Sequence, residues 1–121
     1  MTAFNLRKIV SSLTCASFAI LGSVSPALAE RTLWLKEDEE ATVTGFFMEG
    51  ESIYAECDED CENLDLYLYT KMGALVDSDE ELDAFPIVVA PYEGEFSVKA
   101  AMPSCTHAAG CSASINSDYG F

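Results

Sequence analysis

Cys57–Tyr69 reads CDEDCENLDLYLY, an acidic stretch bracketed by two cysteines that runs directly into an alternating segment. Leu64, Leu66 and Leu68 fall on one side of that segment and Asp65, Tyr67 and Tyr69 on the other, the period of two that a strand with one buried face requires. Six of the ten residues from Glu56 to Asp65 are acidic. Carboxylates are too costly to bury unpaired, so this turn is either solvated or cation-bound. In an extended strand Cys57 and Cys61 would lie ~13 Å apart at ~3.3 Å per residue, whereas a bridge needs Cα atoms roughly 4.4 to 6.8 Å apart. Asp58 to Asp60 must therefore turn if these cysteines are paired, and three acidic residues in a row favour a turn over a central strand.

The same alternation recurs on both sides. Arg31 to Lys36 places Leu33 and Leu35 opposite Thr32, Trp34 and Lys36. Ala41 to Met48 is rich in Thr, Val and Phe, and Ser52 to Cys57 carries Ile53, Ala55 and Cys57 on one face, which reads as its hairpin return across Glu49 to Glu51. Beyond Tyr69, Thr70 to Ala74 turns and Leu75 to Asp77 returns as a strand. Ser78 to Phe85 reads as an acidic loop in which Asp79 to Ala84 has room for one helical turn. Ile87 to Ala90 is a short apolar run between Pro86 and Pro91, and Glu95 to Ala101 alternates with Phe96, Val98 and Ala100 inward. Ser112 to Asn116 supplies a last strand. No stretch sustains helical periodicity. The expected fold is all-β, an antiparallel β-sandwich, jelly-roll-like, of about seven to eight short strands.

The first residues do not belong to this domain. Arg7 and Lys8 precede an apolar region from Ile9 to Val24, and Ala27-Leu28-Ala29 forms a small-x-small cleavage pattern. Residues 1–29 are thus expected to be a secretory signal peptide and residues 30–121 a single exported domain. The apolar region is too short to span a bilayer. Ser12, Leu13 and Thr14 fit poorly before Cys15 as a lipidation signal. Localisation is expected to be secreted or periplasmic, with no membrane association after cleavage.

Cleavage removes two of the six basic residues and none of the 21 acidic ones, changing the formal charge from −15 for the whole chain to −17. Nucleic acid and anionic lipid surfaces demand positive patches and are excluded as partners. Cationic proteins, divalent cations or simple solubility remain. The exported part keeps Cys57, Cys61, Cys105 and Cys111, an even set that reads as two disulfides in an oxidising compartment. Thr106 to Gly110 is a small-residue loop, so local pairing is expected, Cys57 with Cys61 and Cys105 with Cys111. Zinc is disfavoured by the Cys-x3-Cys and Cys-x5-Cys spacings and by the presence of only one histidine, His107.

Gly50-Glu51-Ser52, the strand Asp65-Leu66-Tyr67-Leu68-Tyr69, then Gly73, Leu75, Val76 and Asp77, and finally Gly94, Phe96 and Val98 together resemble the bacterial pre-peptidase C-terminal domain, in a stand-alone exported version. The resemblance implies a β-sandwich with a binding, targeting or maturation accessory role and no catalysis. In some collagen-binding relatives that role uses calcium. The expected function is a non-catalytic secreted binding or accessory domain, whose acidic loops are either simply solvated, the reading favoured, or structured by calcium. The alternative is a structural or protein-interaction module with an acidic surface and no metal, such as a peptidase accessory. An extracellular or periplasmic protein or glycan is the expected partner.

Calcium takes six to eight oxygens, which Asp-dense and Glu-dense loops supply. The candidate ligands are Asp58, Asp60 and Asp65 from the first acidic cluster and Asp77 and Asp79 from the second. The second cluster is not an EF-hand, since Leu82 stands at the glycine position and Val88 at the bidentate glutamate position. Ser104, Thr106 and His107 are sequence neighbours only, without a nucleophile elbow, so no catalytic residue is assigned. A glycosidase would need two carboxyls facing across a cleft, for which this small domain leaves little room.

Overall fold

The structure, a computed structural model, describes residues 31–121; the expected signal peptide and Cys15 lie outside them. Eight strands follow in order: β1 Arg31–Leu35, β2 Glu39–Phe47, β3 Ser52–Cys57, β4 Cys61–Thr70, β5 Leu75–Asp79, β6 Ile87–Val89, β7 Gly94–Cys105 and β8 Cys111–Ser117. They form two four-stranded sheets of order β1-β8-β3-β6 and β2-β7-β4-β5, with every pairing antiparallel. The expected all-β sandwich is present. Asp79 to Ala84 contains no helical turn, and β5 runs on to Asp79.

Alternation decides which face of each strand is buried. Leu64, Leu66 and Leu68 of β4 meet Phe96, Val98, Ala100 and Met102 of β7, and these face Ile53, Val88, Ala113 and Ile115 from the opposite sheet. Phe47 closes one end of this core, 6.3 Å from the Phe96 ring and 4.9 Å from that of Phe121. A domain of this size buries a modest core, so its two bridges are a substantial part of what holds it.

One expectation fails. Ala41 to Met48 and Ser52 to Cys57 do not form a hairpin: β2 pairs with β7, and β3 pairs with β8 and β6 in the other sheet. The intervening turn is a crossover between layers, held by a buried glutamate. Glu51, 3% exposed, accepts the Met48 amide at 2.8 Å through Oε1 and the Ser117 hydroxyl at 2.5 Å through Oε2. Ala90 also donates its amide to the Glu51 carbonyl. A strand pair needs only a short turn, but two short strands joined by one can equally enter different sheets when a side chain satisfies the corner.

Both disulfides are local in sequence, as expected, and both join the two sheets. Cys57–Cys61 links the end of β3 to the start of β4, and Cys105–Cys111 links the end of β7 to the start of β8. Cys61 and Cys105 are cross-strand partners, so the bridges sit side by side at one end of the sandwich.

Candidate functional site

Register gathers the acidic connections at that end. The β1–β2, β3–β4 and β7–β8 connections lie there because Leu35 pairs with Cys111, Cys57 with Ala113, and Glu39 with Met102. The connection from β5 to β6 joins them, since β5 ends against Leu66 and the Leu64 amide donates to the Asp83 carbonyl. Glu37, Asp38, Asp58, Glu59, Asp60, Glu80, Glu81 and Asp83 thus share one end, and Lys36 is the only lysine or arginine in these connections.

The five candidate calcium ligands are divided among different tasks. Asp58 accepts the Asp60 amide at 3.2 Å through Oδ1 and the Ser112 amide at 2.8 Å through Oδ2, tying the bridged turn to β8. Asp60 contributes its carbonyl, which accepts the amide and hydroxyl of Thr106 from the neighbouring bridged loop. Asp77 and Asp79 accept the amides of Val89 and Ile87 at 2.8 and 2.9 Å, linking edge strand β5 to edge strand β6. Asp65 stands on the outer face of β4, opposite to the leucine face with which Asp77 and Asp79 are in register. Among the described residues, no group of three or more His, Cys, Asp or Glu side chains is arranged to hold a metal ion. His107 accepts the Ala109 amide through Nδ1 within its own loop.

The outer face around Asp65 carries the most perturbed groups. Asp65 is 8% exposed, and its Oδ1 has no hydrogen-bond partner. Burial first, and then the charges of Glu80, Asp79 and Asp83, push its carboxyl above the ordinary aspartate range. Tyr67 donates its hydroxyl to Glu80 at 2.6 Å, which raises its pKa together with burial and the Asp65 charge. The Lys99 ammonium lies 4.8 Å from the Tyr67 ring centre and 3.6 Å from Glu40, and is held protonated by the Tyr69 hydroxyl and by Glu40. Between Asp65 and the start of β2 lies a hollow of about 270 Å³, lined by Asp38, Glu39, Glu40, Asp65, Tyr67 and Pro103 among others. Neither Glu40 nor Lys99 is conspicuous in the sequence; each joins this face only through the pairing of β2 and β4 with β7. Perturbed groups clustered beside a hollow mark a candidate binding site.

The outer face of the other sheet carries an apolar groove of about 250 Å³, lined by Tyr54, Phe85, Ile87 and Asn116 with Glu56 at its edge. Phe85 and Ile87 are more than half exposed. Phe85 belongs to the same acidic connection as Glu80, Glu81 and Asp83, so the groove adjoins the acidic end. Trp34, also exposed, is anchored by its indole N–H to the Ala109 carbonyl at 2.6 Å, and close packing of Gly110 against the indole leaves no room for a side chain there.

The chain matches no protein-family model and no curated protein. Among solved structures it is similar to the crystal structure of Aeromonas hydrophila PliG, a periplasmic lysozyme inhibitor of g-type lysozyme, with 9% identity and a TM-score of 0.49 over 74% of this chain and 85% of that one.

Proposed function

We propose that this protein is a non-catalytic binding domain of an oxidising, exported compartment, and that its partner is a basic protein. The observation that carries the reading is the meeting of acidic connections and an exposed apolar groove at Glu80–Pro86. Acidic residues on one end steer a basic partner and set its orientation, while an apolar pocket with aromatic walls supplies contact area once it has docked. The two bridges agree with an oxidising compartment. The accessory role implied by the pre-peptidase C-terminal resemblance is a special case, in which the partner would be a peptidase.

The test is to present the immobilised exported chain to basic proteins of the same compartment and measure association kinetics against salt. A true partner associates more slowly as salt rises and when Glu59→Lys and Glu81→Lys reverse charge, and dissociates faster from Phe85→Ala. Binding that ignores all three substitutions would refute the reading.

A further inference from the structure

The acidic end alone selects for any cation, whereas the hollow beside Asp65 is more particular. We propose that this hollow receives a lysine or arginine side chain of the partner, with its cationic head against Asp65 and its alkyl stem along Pro103. The proposal rests on the basic-partner reading and specifies the contact that reading leaves open.

Several observations support it. Asp65 is more than nine-tenths buried, yet its Oδ1 has no partner; a carboxylate in that position gains more from an arriving donor than one already solvated or bonded. The groups acting on it are Glu80, Asp79 and Asp83, all acidic. Lys99, the cation on this face, is engaged by Glu40 and by the Tyr67 and Tyr69 rings. The hollow is also the right kind of space. At about 270 Å³ it lies just below the roughly 300 to 1,000 Å³ of small-molecule sites, which suits one long side chain better than a cofactor. Pro103 and Ala101 give such a side chain an apolar wall for its methylenes, as lysine and arginine stems require. Lys99 over the Tyr67 ring shows that this surface already accepts an ammonium group.

The test uses Nα-acetyl-lysine methylamide and Nα-acetyl-arginine methylamide as probes, with the uncharged acetyl-norleucine methylamide as control, added to the exported chain and followed by NMR. One or both cationic probes should bind saturably, moving the Asp65 carboxyl and Tyr67 ring signals and lowering the Asp65 pKa on saturation. Asp65→Asn should weaken that binding at least tenfold, and Glu59→Gln should not. Unsaturable binding, an Asp65 pKa indifferent to the probe, or equal binding by norleucine would overturn the proposal. If charge reversal at Glu59 and Glu81 abolishes partner binding while Asp65→Asn leaves it intact, the hollow is refuted and the basic-partner reading stands. If the probes bind at Asp65 but no basic protein responds to the charge reversals, the wider reading falls instead.

Discussion

The carboxylate of Asp77 accepts the main-chain amide of Val89 at 2.8 Å, and through it the outer strand of one sheet is tied to the outer strand of the other. Asp79 repeats the contact with Ile87 at 2.9 Å. An edge strand exposes unpaired N–H groups that invite pairing with another chain. The amides of Ile87 and Val89 lie on the edge of β6 remote from β3, and both are capped. Asp77→Ala and Asp79→Ala should each cost about 1 kcal/mol at this partly exposed position, lowering the melting midpoint by about 4 to 8 °C per kcal/mol in a domain of this size. Asparagine at either position keeps an accepting oxygen and should lose less. A double alanine variant should also self-associate more at high concentration, measured by light scattering.

The division of carboxylates bears on calcium. Asp58, Asp77 and Asp79 accept main-chain amides, and drawing them onto a metal would release those donors. The expected thermal midpoint is therefore the same in millimolar calcium and in chelator. A calcium-dependent rise that disappears in Asp60→Asn would instead assign a metal to the acidic end, by linkage.

The bridges close loops of only a few residues, which in the chain-entropy model are worth about 2 kcal/mol each. Replacing Cys57 and Cys61 together by serine, or Cys105 and Cys111 together, should lower the urea-extrapolated stability by about that amount. Because both bridges staple the same corner, the loss should appear as faster exchange of the Asp58 and Thr106 amides before it appears elsewhere in the domain.

Gly45 has no side chain because the Phe121 ring occupies the place one would take. Gly45→Ala should displace that ring from Phe47 and cost about 1 to 3 kcal/mol by overpacking. In a Phe121→Ala background most of the penalty should vanish, and a double-mutant cycle of thermal midpoints reads the coupling directly.

Asp65 sets a pH dependence with a definite sign. Its folded pKa is raised, chiefly by burial, above the unfolded value of 3.8. The fold is therefore favoured with Asp65 protonated, an advantage complete below the unfolded pKa and lost as pH rises through the folded one. Asp65→Asn should raise the midpoint at neutral pH and give no such gain at pH values below the unfolded pKa. A variant destabilised equally across the range would point to a hydrogen bond that Asp65 makes and asparagine cannot.

Much of the fold was legible from local pattern. The leucine face of β4, the inward Phe96, Val98 and Ala100 of β7, and the local pairing of the cysteines all follow from a period of two and from loop length. The assignment of β2 and β3 to different sheets did not follow, because Glu51 looks like an ordinary turn residue until Met48 and Ser117 are seen to bond its carboxylate. The candidate ligands were read as two groups by proximity in sequence, yet Asp65 faces away from Asp77 and Asp79 across its own sheet. Glu40 and Lys99 reach Asp65 and Tyr67 only through pairings more than thirty residues apart along the chain.

For the CDEDCENLDLYLY stretch, sequence alone determined that a closed turn leads into a core strand and which side of that strand is buried, because alternation and bridge reach are local constraints. Tertiary structure decided what its acids do. Asp58 became a clamp on β8, and Asp65 became a buried carboxylate with an unmet oxygen, since hydrogen-bond satisfaction depends on which distant backbone groups the two sheets bring within reach.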